Sequence, residues 1–230
     1  ANANHELRTP LASLIGFIET LRGPAADDTE AQARFLGIMA EQAQRMSRLI
    51  EDMLSLSRIE MSEHMPPKGT ADLAALVRRA AEALEPRVAA RRMRMELELA
   101  EGVRPVLADP DQLAQVIANL LDNAVKYGRD GGRIGVRLAP TPPAGARPAG
   151  IALAVSDDGQ GIPRQHIPRL TERFYRVDAA RSRAIGGTGL GLAIVKHILN
   201  RHRGSLEIAS EEGKGSTFTV WLPATAPERG

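Results

Sequence analysis

In His5-Glu6-Leu7-Arg8-Thr9-Pro10 an imidazole sits directly beside a carboxylate. A free imidazole titrates near pH ~6.5 and can act as a nucleophile at neutral pH. Glu6 can orient a ring N–H or accept its proton. At about 100° per residue, His5 and Thr9 share one helix face, a turn apart, while Leu7 and Leu11 turn elsewhere. His5 is therefore expected to be exposed. Pro10 has no N–H, so the carbonyl of Glu6 loses its helical partner and the helix is expected to bend beside His5. The other four histidines, His64, His166, His197 and His202, have no comparable context.

A second constellation points to a nucleotide. Asn119, Asn123, Lys126 and Tyr127 follow one another at i, i+4, i+7 and i+8 and form a polar stripe. Leu113, Val116, Ile117, Leu120 and Ala124 form the apolar one. An amide oxygen can ligate Mg²⁺ without adding negative charge beside a triphosphate. Lys126 can neutralise phosphate as a point charge. Taken alone, the stripe could equally be a solvated face. Downstream, Asp157-Asp158-Gly159-Gln160-Gly161-Ile162-Pro163 closes a strand pattern. Its glycines allow close backbone approach to a ligand, and a carboxylate there can accept a hydrogen bond from the amino group of a base. Gly186-Gly187-Thr188-Gly189-Leu190-Gly191-Leu192 then runs straight into a helix, whose free N–H groups and dipole favour phosphate. A dinucleotide fingerprint is excluded because no repeating strand–helix–strand unit surrounds these glycines. A Walker A loop is excluded because no Lys-Ser or Lys-Thr follows them. Between the clusters, arginines 164, 169, 173, 176, 181 and 183 face only Glu172 and Asp178, a local excess of 6 − 2 = +4. This segment reads as a cationic lid over phosphates, anchored by Phe174 and Tyr175.

Composition bounds the rest. The 230 residues carry a net charge of +2, with 43% hydrophobic and 25% charged residues, which is ordinary globular composition. An aromatic content of 3% argues against stacking platforms for single-stranded nucleic acid, and the small net charge implies no nucleic-acid partner. With no cysteine, a disulfide scaffold, thiolate zinc sites and cysteine nucleophiles are excluded. No apolar run is long enough to span a membrane, so no membrane contact is expected. The chain opens Ala1-Asn2 without methionine and is expected to be a piece of a longer protein.

The positioning elements follow from periodicity. Leu7, Leu11, Leu14, Ile18 and Leu21, then Leu36, Met39, Ala43, Met46, Ile50 and Met53, each repeat at alternating intervals of three and four, the seam of a bundle. Gly23-Pro24 and Asp27-Asp28 break between them, which predicts an antiparallel hairpin. So small a unit needs a second copy to bury its stripe, so a homodimer with a four-helix bundle is expected. His64-Met65-Pro66-Pro67-Lys68-Gly69 reads as a hinge. Beyond it come a helix over 72–90, a strand over 93–100, a helix over 110–127 capped by Asp109 or Asp111, strands over 135–138 and 151–156, a mobile loop over 139–150, a helix over 190–202, and a closing hairpin over 206–209 and 216–222. Such a mixture predicts an α+β chain: the helical hairpin, then a two-layer α/β sandwich. The expected division is 1–64, a linker over 65–70, a second domain over 71–225, and a tail over 226–230.

At this point the chain resembles the catalytic core of bacterial sensor histidine kinases. His5–Pro10 resembles their phospho-acceptor box, Asn119–Tyr127 the asparagine box, Asp157-x-Gly159-x-Gly161 the first glycine box, Glu172–Asp178 the phenylalanine box, and Gly187–Leu192 the second glycine box. Arg176–His197 is most similar to the phosphate-starvation sensor subgroup. The resemblance implies an ATP-binding sandwich of the gyrase, heat-shock chaperone and histidine kinase type. It implies that His5 accepts the γ-phosphoryl group of ATP, that Glu6 is its general base, and that Thr9 positions water for hydrolysis of a phosphorylated partner. It assigns Mg²⁺ to Asn123 with Asn119, the adenine amino group to Asp157 with Thr217 through a water, and phosphate oxygens to Lys126 and Arg176. Tyr127, Gly159, Gly161, Ile162, Gly187, Thr188, Gly189, Leu190, Gly191 and Leu192 complete the implied nucleotide site. It further implies a response-regulator partner and a cytoplasmic place in an inner-membrane sensor. Asn4 stands where the family usually has Ser or Ala, and Asn200–Gly204 lacks its usual paired glycines. The alternatives are a protein acting mainly as a regulator phosphatase, a nucleotide-binding dimeric adaptor without chemistry, and a hydrolytic ATPase.

Overall fold

A computed structural model describes residues 3–178 and 186–224. The chain opens with two antiparallel helices, α1 (Ala3–Arg22) and α2 (Thr29–Ser62). Asp28 starts α2 by accepting the Ala31 N–H at 2.9 Å, as an N-cap should. Phe17 and Phe35 pack across the turn with ring centroids 5.3 Å apart. α1 continues through Pro10 to Arg22 without ending there.

The expected seam is not buried within the single chain. Leu11, Ile18, Leu36 and Ile50 remain exposed, together with Ile15 and Leu54. A different face of α2 is buried instead: Leu49, Leu56 and Ile59 join the main core. A helix of 34 residues can serve two surfaces at once. Reading one stripe captured only one of them.

The remainder is a two-layer sandwich. A five-stranded sheet runs in the order β2-β4-β5-β7-β6, from β2 (Arg94–Leu99), β4 (Arg133–Thr141), β5 (Gly150–Asp157), β6 (Ser205–Glu211) and β7 (Gly215–Pro223). Only the β2–β4 pair is parallel. Against it lie α3 (Leu73–Ala90), α4 (Pro110–Tyr127) and α5 (Gly191–Arg201). Alternation sorts the two faces of the sheet. Ile134, Val136, Leu138, Ile151, Leu153, Val155, Phe218, Val220 and Leu222 point into the core, where Leu113, Val116, Ile117, Leu120 and Leu121 of α4 meet them.

The sequence missed a short ladder of β1 (Thr70–Ala71) against β3 (Val106–Leu107) and a 3₁₀ helix over Arg164–Arg169. Two-residue strands carry no readable period. The expected loop over 139–150 is shorter than foreseen, because β4 runs on to Thr141 and Ala144 bridges Arg147. Arg147 pins it, stacking its guanidinium 4.4 Å from the Trp221 ring and pairing with Glu207 at 3.1 Å.

Asp109 caps α4, accepting the Gln112 N–H, with Pro110 in the first turn. His202 holds that cap. It is 3% exposed, donates from Nδ1 to the Ile198 carbonyl at 2.7 Å, and accepts the Asp109 N–H at Nε2 at 3.0 Å. Burial pushes its pKa below the ordinary imidazole value. The native state therefore keeps His202 neutral while the unfolded chain takes up a proton, so this contribution is present above the ordinary value and is lost as pH falls toward the depressed one. We predict that His202→Phe costs about 1–3 kcal/mol at pH 7.5. The fall in its melting temperature between pH 7.5 and 5.5, followed by calorimetry, should be smaller than in the wild type.

Candidate functional site

α4, the loop after β5 and the loop before α5 enclose a cavity of about 580 Å³. Of the sixteen residues implied for the nucleotide site, Asn119, Asn123, Lys126, Tyr127, Asp157, Gly161, Ile162, Arg176, Gly187, Thr188, Gly189, Gly191 and Leu192 line it. Three do not. Gly159 lies behind the wall and donates its N–H to Asp157 Oδ1 at 2.9 Å. Leu190 is fully buried as packing beneath the loop. Thr217 is on the other face of β7, because strand neighbours alternate; Ser216 and Phe218 line the cavity in its place.

Asp157 is the last residue of β5 and pairs with Ser216, whose N–H it accepts. Burial pushes its carboxyl above the usual range, and neighbouring Asp158 adds to this. Asn119 donates to the Gly191 carbonyl at 3.3 Å, tying α4 to the start of α5. Lys126 lies 2.6 Å from Asp122 on the same face of α4, and Arg87 reaches that carboxylate at 2.6 Å. Burial opposes ionisation of Asp122, but the two cations outweigh it and hold its carboxyl below the usual range. Asp122 had a local signal, an Asp–Lys pair four residues apart, that the stripe reading passed over.

The segment after the 3₁₀ helix is stitched to the glycine loop. Phe174 takes a left-handed backbone conformation (φ 61°) and donates its N–H to the Gly189 carbonyl at 2.8 Å. Gly189 has φ +75°, and a Cβ there would stand 2.9 Å from Phe174 Cα. At Gly161 (φ +69°), a Cβ would strike the Glu211 carbonyl, so this glycine is required for contact with the protein itself. Tyr175 is anchored by its hydroxyl, 2.5 Å from His166 Nδ1, and by Arg169, 4.2 Å from its ring centroid.

The expected cationic lid is largely neutralised where it is described. Arg169 pairs with Glu172 at 3.0 Å, Arg173 with Glu60, and Arg176 with Glu6 at 2.9 Å. Arg181 and Arg183 lie outside the described residues. Counting local charge missed the partners on the hairpin, more than 100 positions away in the chain.

Arg176 joins the two constellations. Its Nη2 donates both to Glu6 Oε2 at 2.9 Å and to the Thr188 carbonyl at 2.8 Å. The side chain is only 6% exposed, and Nε is buried with no partner among the described residues. Thr188 in turn donates its hydroxyl to Asp52 of α2 at 2.7 Å. Arg48, Glu51 and Asp52 thus bring α2 into the cavity wall, which no local pattern announced. Of the first constellation, His5 is exposed as expected and is absent from the lining. Thr9 turns its hydroxyl back to the His5 carbonyl at 3.2 Å.

The cavity fits a nucleoside triphosphate. An orphaned guanidinium nitrogen, a lysine and a glycine loop opening a helix converge at one end, and a buried carboxylate stands on the β5 side. The described residues contain no group of three His, Cys, Asp or Glu able to hold a metal. A divalent ion here would rely on the amide oxygens of Asn119 and Asn123 together with phosphate oxygens, a donor set that suits Mg²⁺.

Residues 108–226 match the family of histidine kinase-, DNA gyrase B-, and HSP90-like ATPases, and residues 1–62 match the His Kinase A phospho-acceptor domain. The chain belongs to this ATPase family and is a sensor histidine kinase catalytic core. It is 44% identical over 232 residues to the phosphate regulon sensor protein PhoR of Pseudomonas aeruginosa, covering 99% of this chain and 50% of that protein. It is 37% identical to the sensor-like histidine kinase SenX3 of Mycolicibacterium smegmatis, covering 97% of this chain and 56% of that one. The kinase core thus spans about half the length of these curated relatives. Among solved structures, the histidine kinase AdeS of Acinetobacter baumannii superposes with a TM-score of 0.72 at 26% identity, over 96% of this chain and 98% of that one. The histidine kinase ThkA, solved in complex with the response regulator protein TrrA, shares the fold, with a TM-score of 0.75 at 21% identity over 98% of this chain and 61% of that one. No helix among the kinase core's described residues is long and apolar enough to cross a membrane.

Forcing a side chain onto the left-handed backbone of Gly189 costs about 1–3 kcal/mol, before the clash with Phe174 is counted. Gly189→Ala should therefore unstitch the two loops. Hydrogen exchange over residues 172–178 and 186–192 should accelerate at least tenfold, while exchange in α4 and the sheet stays as in the wild type.

Proposed function

We propose that this core catalyses ATP-dependent phosphorylation of its own His5 and passes the phosphoryl group to an aspartate of a response-regulator receiver domain. The observation that carries the reading is Arg176: one buried side chain faces the cavity and holds the carboxylate next to His5. The nucleotide supplies the phosphoryl group. Asp157 accepts the adenine amino hydrogen bond, Ser216 supports that carboxylate through its N–H, and Lys126 and Arg176 neutralise phosphate charge. Asn123, with Asn119, would hold Mg²⁺, which offsets charge on the phosphates. Glu6 orients the His5 ring and takes its proton. Phosphoryl transfer needs little covalent help from the protein; positioning and charge neutralisation supply most of the catalysis.

The proposed division is a phospho-acceptor hairpin over 1–64, a linker over 65–70, the nucleotide domain over 71–225 and a tail over 226–230. The exposed stripe of Leu11, Ile15, Ile18, Leu36, Ile50 and Leu54 supports a homodimer through the hairpin. The phospho-acceptor match over 1–62 weighs against a nucleotide-binding adaptor without chemistry. A phosphatase activity toward the phosphorylated regulator, using Thr9, belongs to the same reading, as does a cytoplasmic position in an inner-membrane sensor of phosphate-regulon type.

His5→Ala should abolish labelling by γ-labelled ATP while ATP affinity stays within about twofold; label on another residue would overturn the assignment. For Asp157 the sign is different. Its raised pKa means that the ionised form is penalised in the folded state, so its contribution to stability is lost as pH rises through the elevated value. At pH 7.5, Asp157→Asn should leave the melting temperature equal or higher while weakening ATP binding at least tenfold. Calorimetry and isothermal titration check both.

A further inference from the structure

One wall of the nucleotide cavity belongs to α3, a helix that carries none of the residues assigned to the nucleotide above. Ala80, Ala83, Leu84 and Arg87 fall on one face of it, at i, i+3, i+4 and i+7, and all four line the cavity. Arg87 is the charged member of that face. It meets α4 through Asp122, with its Nη1 2.6 Å from Oδ1. The other carboxylate oxygen, Oδ2, holds Lys126 Nζ at 2.6 Å. One carboxylate thus bridges two cations, an oxygen to each, and all three side chains face the cavity.

The backbone that carries Lys126 is fixed from the same side. Arg91, one turn beyond Arg87, donates from its guanidinium to the carbonyls of Val125, of Lys126 at 3.2 Å and of Gly128 at 3.0 Å. These are carbonyls that the end of α4 leaves without helical partners. With its backbone anchored, Lys126 can move only its stem, and at 14% exposure its ammonium is kept from solvent. Asp122 therefore sets the direction in which that ammonium points. An ammonium has three N–H donors, so Lys126 can keep one on Asp122 and turn the others to phosphate oxygens. Burial opposes ionisation of Asp122, but Lys126 and Arg87 outweigh it, and the carboxylate keeps its charge at the cavity wall. That charge repels a triphosphate, and Arg87 offsets the repulsion.

We propose that Asp122 is a positioning residue for Lys126, and that Arg87 sets how much of the Lys126 charge is left for the nucleotide. This rests on the kinase reading above, in which Lys126 meets phosphate, and adds two residues to it, one of them from α3. The two residues act in opposite senses on binding. Asp122 aims the ammonium but lowers the affinity for an anion. Arg87 neutralises Asp122 from the far oxygen and so raises that affinity, without itself having to reach the phosphates.

Substitutions at the two positions test this through opposite shifts. ATP affinity is measured by isothermal titration, and the transfer rate by single-turnover labelling with γ-labelled ATP at saturation. Asp122→Ala should tighten ATP binding about fivefold, the effect of one unit charge a few ångströms from the phosphates under near-aqueous screening. It should also slow labelling about tenfold, because the ammonium loses its aim. A purely structural defect would weaken binding instead. Asp122→Asn removes the charge but keeps an oxygen that accepts from Lys126, so it should bind ATP as tightly as Asp122→Ala and recover most of the rate. Arg87→Met should weaken ATP binding about fivefold, since Asp122 is then left to Lys126 alone. Arg87 is 49% exposed, so this variant decides the charge argument even where Asp122→Ala impairs folding. Unchanged or weaker binding in Asp122→Ala, or unchanged or tighter binding in Arg87→Met, overturns the proposal. A wild-type rate in Asp122→Ala contradicts the positioning role. Wild-type protein that binds ATP but leaves His5 unlabelled would overturn the kinase reading itself, while the two affinity shifts would still decide this proposal.

Discussion

A guanidinium that is 6% exposed must have its charge met inside the protein. Arg176 meets it with the Glu6 carboxylate and the Thr188 carbonyl, and in doing so it joins the first helix of the chain to a loop 170 and more residues later. The position of the nucleotide loop relative to His5 depends on this pair. Remove the arginine, and the ion-pair partner left to Glu6 among the described residues is the more distant Arg45, at 3.6 Å. Remove the glutamate, and a nearly buried cation loses its anionic partner, a change that costs several kcal/mol where desolvation is strong (roughly 3–5). Neither group can be exchanged without altering the other's surroundings.

Around this pair, the chain separates its charges by surface. The hairpin offers acids: Glu6, Asp52, Glu60 and Glu63. The nucleotide domain answers with cations and donors: Arg176, Thr188, Arg173, His197 and Asn200. His197 and then Asn200 hold the Glu63 carboxyl below its usual range, which marks that contact as favouring the ionised acid. The more exposed pairs contribute little each, about 0–1 kcal/mol, so their value lies mainly in setting orientation. The apolar contacts of Leu49, Leu56 and Ile59 supply the area that holds the surfaces together. The whole-chain charge of +2 conceals this arrangement because the two surfaces nearly cancel.

What could be read ahead of the structure was whatever is local. Helix α4 was legible to the residue at both ends, since Asp109-Pro110 starts it, Gly128 stops it, and its apolar and polar stripes repeat over five turns. The glycine loops were legible because their order along the chain matched a family. Three kinds of information were not local. Thr217 and Ser216 differ by one step of strand register, and periodicity without pairing partners does not say which faces the helices. The seam of α2 was visible, but the face it buries in the core was not, because the residues that cover it come from α5, far along the chain. Asp52 as a wall of the nucleotide end, and Glu6 as the partner of Arg176 there, were invisible for the same reason: their partners are 136 and 170 positions away. The glycines were placed correctly but partly for another purpose, since Gly161 answers to the Glu211 backbone.

The account stands on Glu6 and Arg176 acting as one unit in the transfer step, and a double-mutant cycle measures that most directly. Single-turnover labelling rates of Glu6→Gln, Arg176→Met and the doubly substituted protein are compared with wild type at saturating ATP. The account predicts that the double substitution loses less than the product of the two single losses, with a coupling of about 0.5–3 kcal/mol. Losses that simply multiply would show that the two residues act independently and would contradict it.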